Sequence, residues 1–157
     1  MNKSTMIVKK TTVFPASSKK VFSLLQELET LQYIARPYAT FTSIEGDENF
    51  VWQEGKCFKF KFKLFGVIPY GIHTINVIKF KDEIYTKESN PHVPIWNHRI
   101  ILKECNGGKT EYTDEVEIGA GWKTVFVYLW AKCFYSHRQK KWIKLLRSKG
   151  VYPNERI

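Results

Sequence analysis

Thr110-Glu-Tyr-Thr-Asp-Glu-Val-Glu-Ile118 has the alternation of a β-strand, and after Gly119-Ala-Gly121 it gives way to one long apolar-then-basic segment ending near Lys149. The spacing predicts a terminal helix of ~30 residues, ~45 Å long at the α-helical rise. That is more than a helix capping a small sheet requires. A helix of this length lies across a whole sheet and covers its concave face. A curved antiparallel sheet closed in this way leaves a space beneath the helix, and spaces of that kind hold apolar ligands.

Upstream, residues 39–118 read as antiparallel strands with short connections. Strands at 38–43 and 50–53 flank a polar turn at 45–49. Residues 56–65 alternate most clearly: Phe58, Phe60, Phe62 and Leu64 point one way, Lys59, Lys61 and Lys63 the other. One buried and one wet face is what an antiparallel sheet covered on a single side requires. Strands at 71–81 and 83–89 turn around Lys81-Asp82. Those at 96–104 and 109–118 turn around Asn106-Gly-Gly108, where positive φ is tolerated. At the N-terminus a strand over 6–14 stops at Pro15, and Ser17 or Ser18 caps a helix carrying Val21, Phe22, Leu24, Leu25, Leu28 and Leu31 at three- and four-residue steps. A short second helical turn at 32–35 closes at Arg36-Pro37. The expected fold is α+β: about seven curved antiparallel strands wrapped around a long C-terminal helix, in the order β-α-α-β6-α, as one domain over residues 1–157.

A hydrophobic fraction of 43% and an aromatic fraction of 15% exclude a disordered chain. Cys57, Cys105 and Cys133 are too scattered for a disulfide framework or a metal site, and are expected to be reduced, mostly packed side chains. The N-terminus has basic residues but no apolar run long enough for a signal peptide. The longest apolar stretch, Val125 to Ala131 between Lys123 and Lys132, is too short to cross a bilayer, so the expected location is cytoplasmic. The net charge of +10 is unevenly placed, because Lys132, Arg138, Lys140, Lys141, Lys144, Arg147 and Lys149 occupy half of one helix with no acid among them. Cations at a helix C-terminus complement its dipole. Nucleic acid is therefore not the first-choice partner, although a polyanion surface there stays open as an alternative.

Alternation of the connections places 65–70, 90–95 and 119–121 at one end of the sheet, where the long helix begins. That end carries Val67, Ile68, Pro69, Tyr70, Val93, Pro94 and Ile95. Loops normally face water, so it reads either as the mouth of a pocket or a membrane-touching edge, or as a plug of loops folded over one another.

If Phe58, Phe60 and Phe62 face inward, the last hairpin sets His98, Ile100 and Leu102 inside, opposite Tyr112, Asp114 and Val116. A turn centred on Gly107 pairs Ile100 with Asp114 and His98 with Val116, making His98 and Asp114 diagonal neighbours on one face. A carboxylate there fixes the imidazole tautomer, as a general base needs and as any buried histidine needs. His98 and Asp114 are thus weak catalytic candidates, with a structural or ligand-orienting role weighing more. His73 lies where the apolar alternation switches parity, as a bulge would cause. With His92 and His137, the histidines show no zinc spacing, and no metal or cofactor is expected. On the long helix Trp122, Phe126 and Trp130 lie nearest the mouth. Arg138 shares the apolar stripe and has to find Asp114, a polar ligand head or solvent.

Several local patterns, with this order of elements, resemble the helix-grip fold of the START/SRPBCC-like superfamily, which includes the birch pollen allergen. They are Thr12-Val-Phe-Pro-Ala-Ser17 with Val21-Phe22, Gly55, Gly71-Ile-His73, Trp96-Asn-His98, Gly108-Lys-Thr110, Tyr112-Thr-Asp114, and Phe134-Tyr135 with Arg138 and Trp142. The resemblance spans nearly the whole chain and is similar to bacterial members. It implies binding or transport of a small, largely hydrophobic ligand, lipid-like or polyketide-like, with a polyketide cyclase, aromatase or dehydrase as the alternative. A membrane- or RNA-associated adaptor acting through the basic helix is a further alternative. The residues expected to line the cavity are Phe58, Phe60, Phe62, His73, His98, Ile100, Tyr112, Asp114, Trp122, Phe126 and Trp130. The state is expected to be monomer or homodimer, with membrane contact a candidate.

Overall fold

The computed structural model describes residues 4–46, 50–81 and 83–148. Residues 47–49 of the polar turn, Asp82 and Lys149 lie outside the described residues. Seven antiparallel strands form one sheet in the order β1-β7-β6-β5-β4-β3-β2. They are β1 (Met6–Phe14), β2 (Ala39–Ser43), β3 (Cys57–Leu64), β4 (Ile68–Phe80), β5 (Glu83–Ser89), β6 (Ile95–Cys105) and β7 (Lys109–Gly119). The helices are α1 (Ser18–Leu25), α2 (Leu28–Ala35) and α3 (Thr124–Ser148).

Ser17 caps α1 by accepting a hydrogen bond from the Lys20 amide. The expected helix through Leu31 is instead two helices, because Glu27 adopts extended backbone with ψ 120°. The break re-aims the chain: α1 packs toward β6, and α2 packs on β2 and α3. The expected strand at 50–53 is absent. Phe50 and Trp52 fold onto Phe58 and Phe60 of β3 instead, with ring centroids 4.8–6.0 Å apart across the group. The loop expected at 65–70 is shorter, since β4 already begins at Ile68. The terminal helix is 25 residues, ~38 Å long, preceded by a 3-10 turn at Gly121–Lys123. The Thr124 hydroxyl ties that turn down, accepting from the Ala120 amide and donating to the Gly121 carbonyl.

The last hairpin pairs His98 with Val116 and Ile100 with Asp114, around Gly107 and Gly108 at φ 80° and 69°. In β4 the register shifts between Val77 and Lys79. The extra residue, Ile78, faces out, so Phe80 returns to the face of Val77, Ile75 and His73. The parity switch in the sequence is this bulge.

The core divides into two clusters. One gathers Phe14, Val21, Leu24, Tyr112, Trp142 and Leu146, and the other Val8, Val116, Ile118, Trp96, Phe134 and Tyr135. Helix α3 packs on β1, β7 and α2, so the sheet curves away from it toward β3, β4 and β5. The site lies in that gap. Two of the three thiols expected to be packed, Cys57 and Cys133, are exposed, because Cys57 opens β3 on the face of its lysines and Cys133 faces out from α3. All three are free.

Candidate functional site

Between the concave face of β3–β6 and α3 is a cavity of about 510 Å³, within the usual range of small-molecule sites. The sheet contributes Phe60, Phe62, Ile75 and Ile100, and α3 contributes Phe126, Trp130 and Phe134. Of the residues expected to line it, Phe60, Phe62, His73, His98, Ile100, Trp122, Phe126 and Trp130 do so.

Phe58, Tyr112 and Asp114 do not. Phe58 is covered by Phe50 and Trp52 at 4.9 and 5.0 Å. Tyr112 is fully buried, stacked on Phe14 at 4.5 Å and beside Trp142. Asp114 is fully buried behind His98.

The polar groups form two carboxylate-centred knots. In the first, Asp114 Oδ1 accepts from His98 Nε2 at 2.7 Å and from the Tyr112 hydroxyl at 3.2 Å, and Oδ2 accepts from Gln139 Nε2 at 3.0 Å. Burial pushes the Asp114 carboxyl up, but the Arg138 charge and the bonds from His98 and Gln139 together outweigh it and hold its pKa below the usual range. An ionised carboxylate only accepts, so His98 Nε2 carries a proton toward Asp114. Gln139 also donates to the Lys10 carbonyl and accepts from Thr12, fastening α3 to β1.

In the second knot Glu88 accepts from His73 Nε2 at 2.6 Å and from the Thr86 hydroxyl at 2.6 Å. Burial raises the Glu88 carboxyl, and the His73 bond, the charges of His73 and His98 and the Thr86 bond together bring it below its ordinary value. Glu88, Thr86 and Trp52 line the cavity without having been expected there. Glu88 and Thr86 share the parity of Ile84 on β5, so cross-strand pairing with β6 was the available signal; Trp52 sits in irregular backbone that alternation does not reach.

Arg138 lines the cavity too and is 8% exposed. Burial disfavours its charge, but the oxygens of Tyr112, Asp114 and Tyr135 outweigh it and hold its pKa above the usual value. It therefore leaves the basic surface of α3. Lys132, Lys140, Lys144 and Arg147 remain exposed, while Lys141 lies over the Tyr33 ring at 3.9 Å.

The family described as a domain of unknown function (DUF8410) matches residues 12–146. The chain belongs to the DUF8410 family. No curated protein matches it in sequence. Its fold is similar to a START superfamily protein from Mycobacterium smegmatis, at 13% identity and a TM-score of 0.64 over 90% of this chain and 97% of that one. It is similar to an aromatase/cyclase from a Streptomyces species, at 9% identity and 0.61 over 93% of each chain. It is also similar to truncated norcoclaurine synthase from Thalictrum flavum, at 10% and 0.66 over 91% and 94%. Identities this low carry the fold alone: the DUF8410 chain has the helix-grip fold of START/SRPBCC-like proteins.

Both readings of the apolar end hold in part. The loop after β5 is a plug: the Asn90 side chain accepts from the amides of His92 and Val93 and donates to the Tyr70 carbonyl, and Val93 is buried. Beside it the end is open. Trp122 and Phe126 line the cavity while 82% and 67% exposed, with Val67, Ile68, Val125 and Leu129 also exposed at this end. Among the described residues no helix is long and apolar enough to cross a membrane, and no three His, Cys, Asp or Glu could hold a metal ion together.

Proposed function

We propose that this DUF8410 protein binds a small, largely hydrophobic molecule in the cavity between its sheet and α3. The observation that carries the reading is the cavity itself: about 510 Å³, walled mostly by aromatic and aliphatic side chains and reaching the surface at Trp122 and Phe126. Burying apolar ligand area there supplies affinity at ~25 cal/mol per Å², and His73 and His98 orient the polar end. Three free thiols, two of them exposed, suit a reducing cytoplasm. The apolar rim suits loading from a lipid surface, with the rim tryptophan at the head-group level.

Native mass spectrometry of protein purified from its own host tests the reading. The expected result is a small apolar molecule that remains bound on gentle ionisation and leaves when the cavity is filled by Ile100→Trp. Protein that carries nothing, and that binds no apolar dye in solution, removes the proposal.

A second reading, an enzyme of the cyclase or dehydrase kind, is favoured by the two histidine–carboxylate pairs, in each of which a carboxylate orients an imidazole at the cavity wall, as a general base acting on an enolisable substrate needs. It requires that His98→Gln stop turnover of a co-purified compound while leaving it bound. A compound returned unchanged after prolonged incubation excludes this second reading.

A further inference from the structure

Arg138 stands in the cavity wall with most of its hydrogen-bond donors unpaired among the described residues. The Arg138 guanidinium carries five N–H groups in a fixed fork. Among the described residues its one hydrogen bond runs from Nη2 to the Tyr112 hydroxyl and is long, at 3.5 Å. Nε is buried without a hydrogen-bond partner, and Asp114 Oδ1 stands 4.0 Å from it. That oxygen is already taken by His98 and Tyr112, and its twin by Gln139. Asp114 thus balances the Arg138 charge without using its N–H groups. The indole nitrogens of two other residues that line the cavity, Trp52 Nε1 and Trp130 Nε1, are also buried without a hydrogen-bond partner among the described residues. Both Glu88 oxygens, in contrast, hold partners. Trp142 Nε1 is unpaired as well, but it lies against Phe14 and Tyr112 away from the cavity, and Arg99 Nε lies on the outer face beside Glu83. Nε and the two indole nitrogens are sealed from the cavity space, so the donors of Arg138 left for a ligand are its Nη groups, and leaving a buried charged donor unmade is costlier than leaving a neutral one.

We infer that Arg138 seats an anionic oxygen of the ligand, a carboxylate at the inner end of an apolar body that lies along α3 toward Trp130 and the rim. This rests on the reading that the cavity takes a small hydrophobic molecule, and it names the class: an apolar organic acid. Trp130 precedes Arg138 by eight residues on the same helix, ~12 Å nearer the rim, so its ring packs against the apolar body between the head and the rim. Asp114 and Glu88 oppose an added anion, but their oxygens are turned to other donors while the guanidinium N–H groups make direct contact. Charge-assisted contacts of that kind are shorter and stronger than neutral ones.

The test compares three probes with the same ten-carbon body, decanoate, 1-decanol and decylammonium, titrated into the full chain by calorimetry and by tryptophan fluorescence. Decanoate is expected to bind about tenfold or more tighter than 1-decanol, with decylammonium weakest. Arg138→Gln is expected to erase the preference for the acid while 1-decanol affinity stays within about threefold, with the far-ultraviolet dichroism unchanged. Equal binding of acid and alcohol by the wild-type chain overturns the role of Arg138 and leaves the cavity reading standing. Failure of all three probes to bind overturns both. The wild-type comparison decides by itself if Arg138→Gln does not fold.

Discussion

His98 Nε2 and Asp114 Oδ1 meet at 2.7 Å across β6 and β7, with the imidazole in the cavity wall and the carboxylate fully buried behind it. The pair divides its labour by depth. Asp114 collects three donors and the nearby Arg138 charge, fixing four side chains from β6, β7 and α3, and His98 presents the result to the cavity as one oriented ring.

Asp114 is therefore expected to matter more for folding than His98 does. Asp114→Asn leaves the buried Arg138 charge uncompensated and is expected to cost ~3–5 kcal/mol. His98→Gln keeps a donor for the carboxylate and is expected to cost ~1–2 kcal/mol. Urea unfolding of the two variants measures both, and an Asn variant no less stable than the Gln variant contradicts the arrangement.

Acid should loosen the fold through the two carboxylates. Asp114 and Glu88 both have native pKa values below their ordinary ones, so the native state binds fewer protons than the unfolded chain as pH falls. Their stabilisation is complete above the unfolded carboxylate range near ~4 and is lost as pH drops through the lower native values. The melting temperature is expected to be level from neutral pH to ~5.5 and to fall below ~4.5. Glu88→Gln should lower stability at neutral pH and flatten the acid slope. An unchanged slope in that variant would show that Glu88 contributes nothing to it.

Much of this was legible in the sequence because the hairpin around Gly107 fixes register by itself. Once Gly107 centres the turn, the pairing of Ile100 with Asp114 follows, and the diagonal contact with it. The alternation that located Phe60 and Phe62 failed for Phe58, since period two gives the face of a residue and says nothing of what covers that face. Phe50 and Trp52 cover Phe58 from irregular backbone with no periodicity to read. Tyr112 and Asp114 shared the right face and still missed the cavity, because α3 sits close over β1 and β7 and away from β3–β5. That asymmetry arises from helix packing that no single strand encodes. Glu88 was missed for a different reason: a charged residue among polar neighbours on β5 reads as solvent-facing until His73 is placed diagonally across from it on β4.

Phe60 and Phe58 separate wall from periphery. Phe60 is 1% exposed and lines the cavity, whereas Phe58 is half-buried outside it. Phe60→Ala is expected to cost ~3–5 kcal/mol, with Phe58→Ala costing clearly less. Phe60→Ala should also widen the cavity and shift its preference toward bulkier apolar probes, as measured by competition against decanoate. Equal losses for the two variants would mean that Phe60 faces no more of the interior than Phe58 does.

The rim offers the opposite case, side chains whose removal should spare the fold and damage uptake. Trp122 and Phe126 are 82% and 67% exposed, so replacing both with serine removes few packed contacts and is expected to change stability by no more than ~0.5 kcal/mol. If the rim receives ligand from a lipid surface, these two rings are the groups that enter the head-group layer, with Lys123 beside them in the sequence to meet anionic lipid. Wild-type protein is then expected to co-sediment with phosphatidylcholine vesicles, more strongly when phosphatidylglycerol is added. Trp122→Ser with Phe126→Ser should lose most of that association while keeping the wild-type melting temperature. Substituting Lys140, Lys144 and Arg147 by Gln supplies the control for the basic end of α3. If those changes abolish co-sedimentation and the serine pair does not, the membrane contact belongs to the helix surface and the apolar rim has no part in it.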